Sequence, residues 1–215
     1  MIVYNEEEEG SLDVSYDLVI MIVGKEEVGK ASLITRYGEN KFRDKNASRL
    51  IKNYITTTTG DEKIRVRFIE KPTGYIYDDN YDLDFDYDGI IFLYDVTKEE
   101  TANFIPQSIK HFRKLKGKSF PMLLLGNKID KVTEESNEKV RDFGLNLARK
   151  NGIQFLEISC KSGKNTDNAA NLLIKAALMK QQELKDKRIE ETKLVINEDK
   201  QDIQDKDGCC GFFCK

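Results

Sequence analysis

An apolar run, Leu18-Val-Ile-Met-Ile-Val23, passes directly into Gly24-Lys-Glu-Glu-Val-Gly29-Lys30, and this junction constrains the fold more than any other stretch of the chain. A continuous apolar run of this length, bounded by polar residues, suits a buried strand, and the Gly-x4-Gly-Lys spacing suits a turn that opens a helix. In such a turn the glycines let successive backbone N–H groups point inward. The helix N-terminus adds partial positive charge, and the lysine reaches the terminal phosphates. The stretch therefore predicts a phosphate cradle formed by Gly24, Glu27, Val28, Gly29, Lys30, Ala31 and Ser32. One position departs from the pattern: where a Ser or Thr hydroxyl after the lysine would meet Mg²⁺, the chain has Ala31. Ser32 comes one residue late, because successive side chains on a helix point about 100° apart.

A chain of 215 residues suits one sizeable domain with tails. Charged residues make up 34% and the net charge is −3, which gives no electrostatic case for nucleic acid. No apolar run is long enough to span a bilayer, and the N-terminus carries Glu6 to Glu9 in place of a basic and apolar signal, so a cytoplasmic protein is expected. Of the four cysteines, Cys160 stands alone, while Cys209, Cys210 and Cys214 crowd the C-terminus. That spacing fits neither a disulfide framework nor a zinc site and points to a modified tail.

Residues 1–15 are acidic without a long apolar period and read as a poorly ordered arm. The helix opened by Lys30 ends near Gly38, and a polar, basic stretch follows from Lys41 to Asn53. Lys63 to Ile69 alternates apolar and charged residues, the mark of a strand with one wet face, at or near a sheet edge. Tyr75 to Asp88 is acidic and aromatic and reads as a solvated loop; it lacks the Gly turn and Glu of a calcium loop. Gly89 to Val96, Pro121 to Gly126 and Ile153 to Ile158 read as further strands, and 101–116, 136–151 and 168–184 as amphipathic helices. His111, the lone histidine, falls on the first of these helices as a surface residue. Strands alternating with helices argue an α/β domain over residues 16–184, with a mostly parallel sheet covered by helices on both faces. Ligands of such sheets sit beyond the carboxyl ends of the strands, where the cradle, Asn127-Lys128-Ile129-Asp130 and Ser159-Cys160-Lys161 all fall.

These motifs, in this order and spacing, resemble those of the Ras superfamily of small GTP-binding proteins, most nearly its Rab branch, over about residues 16–183. The resemblance implies the P-loop NTPase (small G-protein) fold, with GTP or GDP as ligand. It also implies that Asp130 accepts from guanine N1 and the 2-amino group, that the Lys128 stem lies along the base, and that Asn127 ties the loop to the cradle. Ser159-Cys160-Lys161 is similar to the family's Ser-Ala-Lys, in which the middle backbone N–H meets guanine O6. A carboxylate suits guanine's two adjacent donors and would leave the ring N1 acceptor of adenine unpaired.

The other half of the pocket departs from the family. Where a typical member has Asp-Thr-Ala-Gly-Gln, this chain has Lys71-Pro-Thr-Gly74-Tyr75. The acid that holds Mg²⁺ through water is thus matched to Lys71, and the glutamine that orients the attacking water to Tyr75; Gly74 alone survives, to meet the terminal phosphate. Thr58, or Thr57 beside it, best matches the threonine that ligates Mg²⁺ and senses the third phosphate. Glu26 and Glu27 put carboxylates into the cradle, where they must turn outward or weaken binding. Mg²⁺ is therefore expected to be held weakly, with Lys71 offering a cation near the phosphates, and hydrolysis to be slow or absent.

The tail, 185–215, alternates Lys, Glu and Asp and reads as a helix extension fading into a flexible linker. A prenylation box needs Cys fourth from the end, and Phe212 stands there, but the pair Cys209-Cys210 resembles Rab tails. Lipidation there, palmitoyl or prenyl, would place the protein peripherally on a membrane; otherwise the cluster is a set of free thiols. The resemblance implies effector and regulatory proteins as partners, acting through the switch segments in membrane traffic or signalling. A rival reading is a pseudo-GTPase scaffold with the fold but little switching or catalysis.

Overall fold

In a computed structural model that describes residues 14–42, 54–59, 61–72 and 86–207, the element order is β1 (Tyr16–Gly24), α1 (Lys30–Glu39), β2 (Tyr54–Thr59), β3 (Glu62–Pro72), β4 (Gly89–Asp95), α2 (Ile105–Lys116), β5 (Met122–Asn127), α3 (Glu134–Asn151), β6 (Gln154–Glu157) and α4 (Thr166–Asp207). The strands form one sheet in the order β2-β3-β1-β4-β5-β6; β2 runs antiparallel to β3 and every other neighbouring pair is parallel. This is the mostly parallel α/β sheet of the small G-protein fold.

Period-two alternation on the strands sorts the core into two layers. Leu18, Ile20 and Ile22 of β1 and Ile64, Val66 and Phe68 of β3 bury against Leu33 and Tyr37 of α1 and Leu173 of α4. On that face the Tyr37 and Phe68 rings stack 4.8 Å apart. Met21 and Val23 of β1 point to the other face and join Ile105, Ile109 and Phe112 of α2. All seven residues of β4 are buried, as an unbroken apolar run in a covered parallel sheet requires. Each large side chain so buried contributes about 1.5–3 kcal/mol.

Three elements differ from the sequence-based expectation. The threonine run 54–59, left without an element by its polarity, is the edge strand β2, where Ile55 and Thr57 bury and Thr58 and Thr59 face water. The helix expected over 101–116 begins at Ile105, with Pro106 in its first turn and a separate 3-10 turn over Glu99–Ala102. Leu115, assigned to its apolar stripe, is exposed. The last helix continues to Asp207 where a fading linker was expected. No Gly or Pro interrupts it before Gly208, and its Lys and Glu residues recur at pairing distance, as in the Lys180–Glu183 pair at 3.0 Å. The chain divides into a larger unit, Met1–Leu178, which carries the sheet, and a smaller one, Met179–Lys215. No helix among the described residues is long and apolar enough to cross a membrane. Most of the acidic 75–88 stretch lies outside the described residues; of its end, Tyr87 is buried edge-on to Phe112, and the Asp88 carboxylate accepts the Val19 N–H at 2.8 Å.

Candidate nucleotide site

The turn after β1 closes on itself through Lys30. Its ammonium donates to the carbonyls of Gly24 and Lys25, both at 2.9 Å, and lies 3.3 Å from a Glu70 carboxylate oxygen. Gly29 has φ +105°, and a Cβ there would stand 2.4 Å from Asn127 Nδ2, so only glycine fits. Glu27 takes φ +61° without being glycine, a strained position costing about 1 kcal/mol. Glu26 and Glu27 are both exposed, and Glu27 lies on the wall of a cavity that Asp130 also lines.

Asn127, at the end of β5, joins two loops. Its Nδ2 donates to Val28 O at 2.8 Å, and its Oδ1 accepts the Cys160 N–H at 3.0 Å. Lys128 donates to Glu27 O at 2.6 Å and pairs with Asp95 at 2.7 Å. Burial pushes the Asp95 carboxyl up, but hydrogen bonds from Lys128 and Thr97 outweigh it and hold the group below the usual carboxylate range. The Ser159 hydroxyl donates to Asp130 Oδ1 at 2.6 Å and fixes the orientation of that carboxylate. Burial pushes the pKa of the Cys160 thiol up to about 12, and its backbone N–H, which the resemblance matched to guanine O6, is given to Asn127 Oδ1 in this structure.

A cavity of about 380 Å³ collects Gly29, Ser32, Asn127, Lys128, Asp130 and Cys160, with Glu27 and Lys161 also on its wall. Phe42 lines it as well, and sequence reasoning passed over that residue; its signal was a lone aromatic in a polar stretch. Asp95 and Arg36 were also missed. Arg36 donates to the carbonyls of Cys160 (2.8 and 3.0 Å) and Lys161 (2.7 Å), clamping the loop to α1.

Two assignments on the phosphate side are corrected. Thr58 pairs with Lys63, at the start of β3, whereas the cradle lies beside Lys71 and Pro72 at its end. At the usual strand rise that separates Thr58 from the cradle by about 26 Å, too far for it or the adjacent Thr57 to ligate a metal there. Lys71 is 2% exposed with its ammonium 5.9 Å from the centre of the Phe112 ring, on the α2 face of the sheet, so it is not a cation beside the phosphates. Glu70, one residue earlier, faces the cradle instead. Ala31 has no donor atom, and Ser32 lines the cavity of Asp130, as expected of a residue one step late. Among the described residues no group of three or more Asp, Glu, His or Cys side chains could hold a metal, and the Glu70 carboxylate beside the cradle is already paired with Lys30. Gly74, Tyr75, Cys209 and Cys210 lie outside the described residues.

The cavity offers an oriented carboxylate, an aromatic ring and a lysine stem on its wall, and the Gly29 turn beside it holds the Lys30 ammonium. The chain matches the Ras family model over residues 19–179. It is similar to Ras-related protein Rab-13 of Mesocricetus auratus, 31% identical over 176 residues that span 75% of this chain and 80% of that protein. Ras-related protein Rab-21 of Mus musculus is 27% identical over 164 residues, 71% of this chain and 69% of that protein. The human EF-hand calcium-binding domain-containing protein 4B is 30% identical over 210 residues, 89% of this chain but 25% of that protein. With the strand order, the cradle and the Asn127-Lys-x-Asp130 loop already in place, these matches make the chain a member of the Ras family, a Rab-like small GTPase.

Proposed function

We propose that this chain binds GDP and GTP in the cavity between the cradle and the Asn127–Asp130 loop, prefers guanine over adenine, and hydrolyses GTP slowly. The observation that carries the reading is the Asp130 carboxylate held by Ser159 at 2.6 Å on the wall of a cavity shared with Phe42, Lys128 and Cys160. Asp130 accepts from guanine N1–H and the 2-amino group, Phe42 covers the base, and Lys30 meets the outer phosphates. Mg²⁺, when bound, would neutralise charge on those phosphates; with Ala31 after the lysine and Thr58 at the far end of the sheet, it is held weakly. The test is competition between GDP and ADP, repeated with Asp130→Asn, which replaces one acceptor oxygen by a donor. GDP should win in the parent, and the variant should lose GDP affinity and favour xanthosine diphosphate. Equal affinity for ADP and GDP in the parent overturns the reading.

A second reading, a scaffold with little switching, draws on the same lysine: its ammonium donates to Gly24 O and Lys25 O and pairs with the Glu70 carboxylate at 3.3 Å, so it is already engaged. Denaturing the purified protein and identifying released nucleotide separates the two, since co-purified GDP or GTP supports the first. In the first reading the protein acts with effector and regulatory proteins through its switch segments, in membrane traffic or signalling. Lipid on Cys209 and Cys210 holds it on a membrane, two chains giving the stable anchoring that one does not. A Cys209→Ser, Cys210→Ser variant that still partitions to membranes like the parent removes that part.

A further inference from the structure

We infer that Arg36 is a positioning residue for the guanine readout, acting on the Asp130 carboxylate through the Lys161–Ser162 peptide and Ser159; the inference rests on the nucleotide reading above. Arg36 belongs to α1, and its guanidinium lies against the loop that follows β6. Its Nε and Nη2 both donate to Cys160 O, at 3.0 and 2.8 Å, and Nη2 also donates to Lys161 O at 2.7 Å. The planar fork of a guanidinium holds two neighbouring carbonyls in one geometry, which the single ammonium of a lysine does not. Gly163, with φ +83°, brings the backbone of the same loop up to that plane: a Cβ there would stand 3.7 Å from Arg36 Cζ.

The effect of the bond to Lys161 O does not end at that carbonyl. The other side of the same peptide unit, the Ser162 N–H, donates to Ser159 Oγ at 3.1 Å, and that hydroxyl donates in turn to Asp130 Oδ1 at 2.6 Å. Hydrogen bonds in series polarise one another, so donation to the carbonyl strengthens the N–H beyond it. With the Ser162 N–H as its donor, Ser159 directs its own proton at Asp130. The carboxylate is thus held, through two intervening groups, by a side chain of another element. The remaining guanidinium nitrogen, Nη1, donates to Asn40 O at 3.0 Å, at the C-cap of α1 and two residues before Phe42. One side chain therefore reaches both the carboxylate and the start of the segment that brings Phe42 to the cavity wall. Arg36 is not itself on that wall, so it acts through these groups.

The experiment compares GDP with inosine diphosphate, which lacks only the 2-amino group that Asp130 takes, so the ratio of the two affinities reports how the carboxylate is held. Competition titrations are run on the parent, Arg36→Lys, Arg36→Ala, Ser159→Ala and the Arg36→Ala, Ser159→Ala pair, each with a melting curve. Arg36→Ala should lower the ratio of GDP to inosine diphosphate affinity by at least about threefold, Arg36→Lys by less, and the pair by no more than Ser159→Ala alone, the non-additivity expected within one chain of hydrogen bonds. If Arg36→Ala melts below the assay temperature, Arg36→Lys carries the comparison. A role confined to the fold would lower the melting temperature and leave the ratio unchanged. The parent's ratio retained in the Arg36 variants, or losses that multiply in the pair, overturns the inference and leaves the nucleotide reading intact. A parent with no preference for GDP over inosine diphosphate also overturns the inference, and one with none over ADP overturns the nucleotide reading as well.

Discussion

The side-chain oxygen of Asn127 accepts the Cys160 N–H at 3.0 Å while the same amide's nitrogen donates to Val28 O at 2.8 Å, so one residue ties the Ser159–Lys161 loop to the turn after β1. Asn127 is 2% exposed, and both of its partners are buried. Asn127→Ala leaves a buried N–H and a buried carbonyl unsatisfied, each costing about 1–3 kcal/mol. The variant should melt several degrees lower, at about 2–4 °C per kcal/mol for a chain of this size. It should also lose GDP affinity by more than about tenfold, because the two halves of the site are no longer held in register. Melting curves and GDP titration on the same preparation check this, and a variant that melts low but binds GDP like the parent would show that Asn127 serves the fold alone.

Glu157, at the end of β6, is a carboxylate that the fold tolerates at a cost. Its Oε1 is buried without a hydrogen-bond partner. Burial raises its pKa, against the lowering effect of Arg141 and Lys164. A carboxyl raised on folding favours the neutral form in the native state. Its stability contribution is therefore greatest below the ordinary glutamate pKa and falls as pH rises through the folded value. Glu157→Gln should melt higher than the parent at pH 7, by about one to three degrees, and the difference should vanish below about pH 4. Melting temperatures across that range test it, and a lower melting point for the variant at pH 7 would mean that the charge is paid back elsewhere, for instance through Arg141.

Much of the architecture was legible because it rests on long apolar runs. Leu18–Val23, Gly89–Val96 and Pro121–Gly126 each read as a strand and each became one. The gathering of Asn127, Lys128 and Asp130 on one cavity was legible because they are compact in sequence, at one strand end. What escaped depends on which way a side chain turns. Glu70 and Lys71 are adjacent, and alternation alone decides that the first meets Lys30 and the second Phe112. Spacing from the family's motif pointed to the wrong one. Thr58 looked apt from its place before Gly60, but antiparallel pairing of β2 with β3 carries it to the far end of the sheet. Arg36 and Asp95 act through partners distant in sequence, Cys160 and Lys128, and no local pattern marks such pairs.

Hydrolysis is expected to be very slow, and the geometry names the repairs. Transfer of the terminal phosphoryl group needs charge neutralised on the outer phosphates and a water aligned for attack. Ala31 supplies no side-chain oxygen at the head of α1, Ser32 lines the cavity of Asp130, and Tyr75, outside the described residues, occupies the sequence position that the family's motif gives to a glutamine, whose amide would both donate to and accept from the water. Ala31→Ser restores a hydroxyl beside Lys30 and should tighten Mg²⁺-dependent GDP binding, with little gain in hydrolysis because the water is still unaligned. Tyr75→Gln alone should gain little for the converse reason. The Ala31→Ser, Tyr75→Gln double variant should raise single-turnover GTP hydrolysis by more than about tenfold over the parent, a non-additive gain of the kind expected when two residues serve one step. Thr58→Ala is the control, and with about 26 Å between it and the cradle it should leave both GDP affinity and rate unchanged. A parent that already hydrolyses GTP as fast as the double variant, or a Thr58→Ala variant that loses nucleotide, would show that the site draws ligands from segments other than those assigned to it.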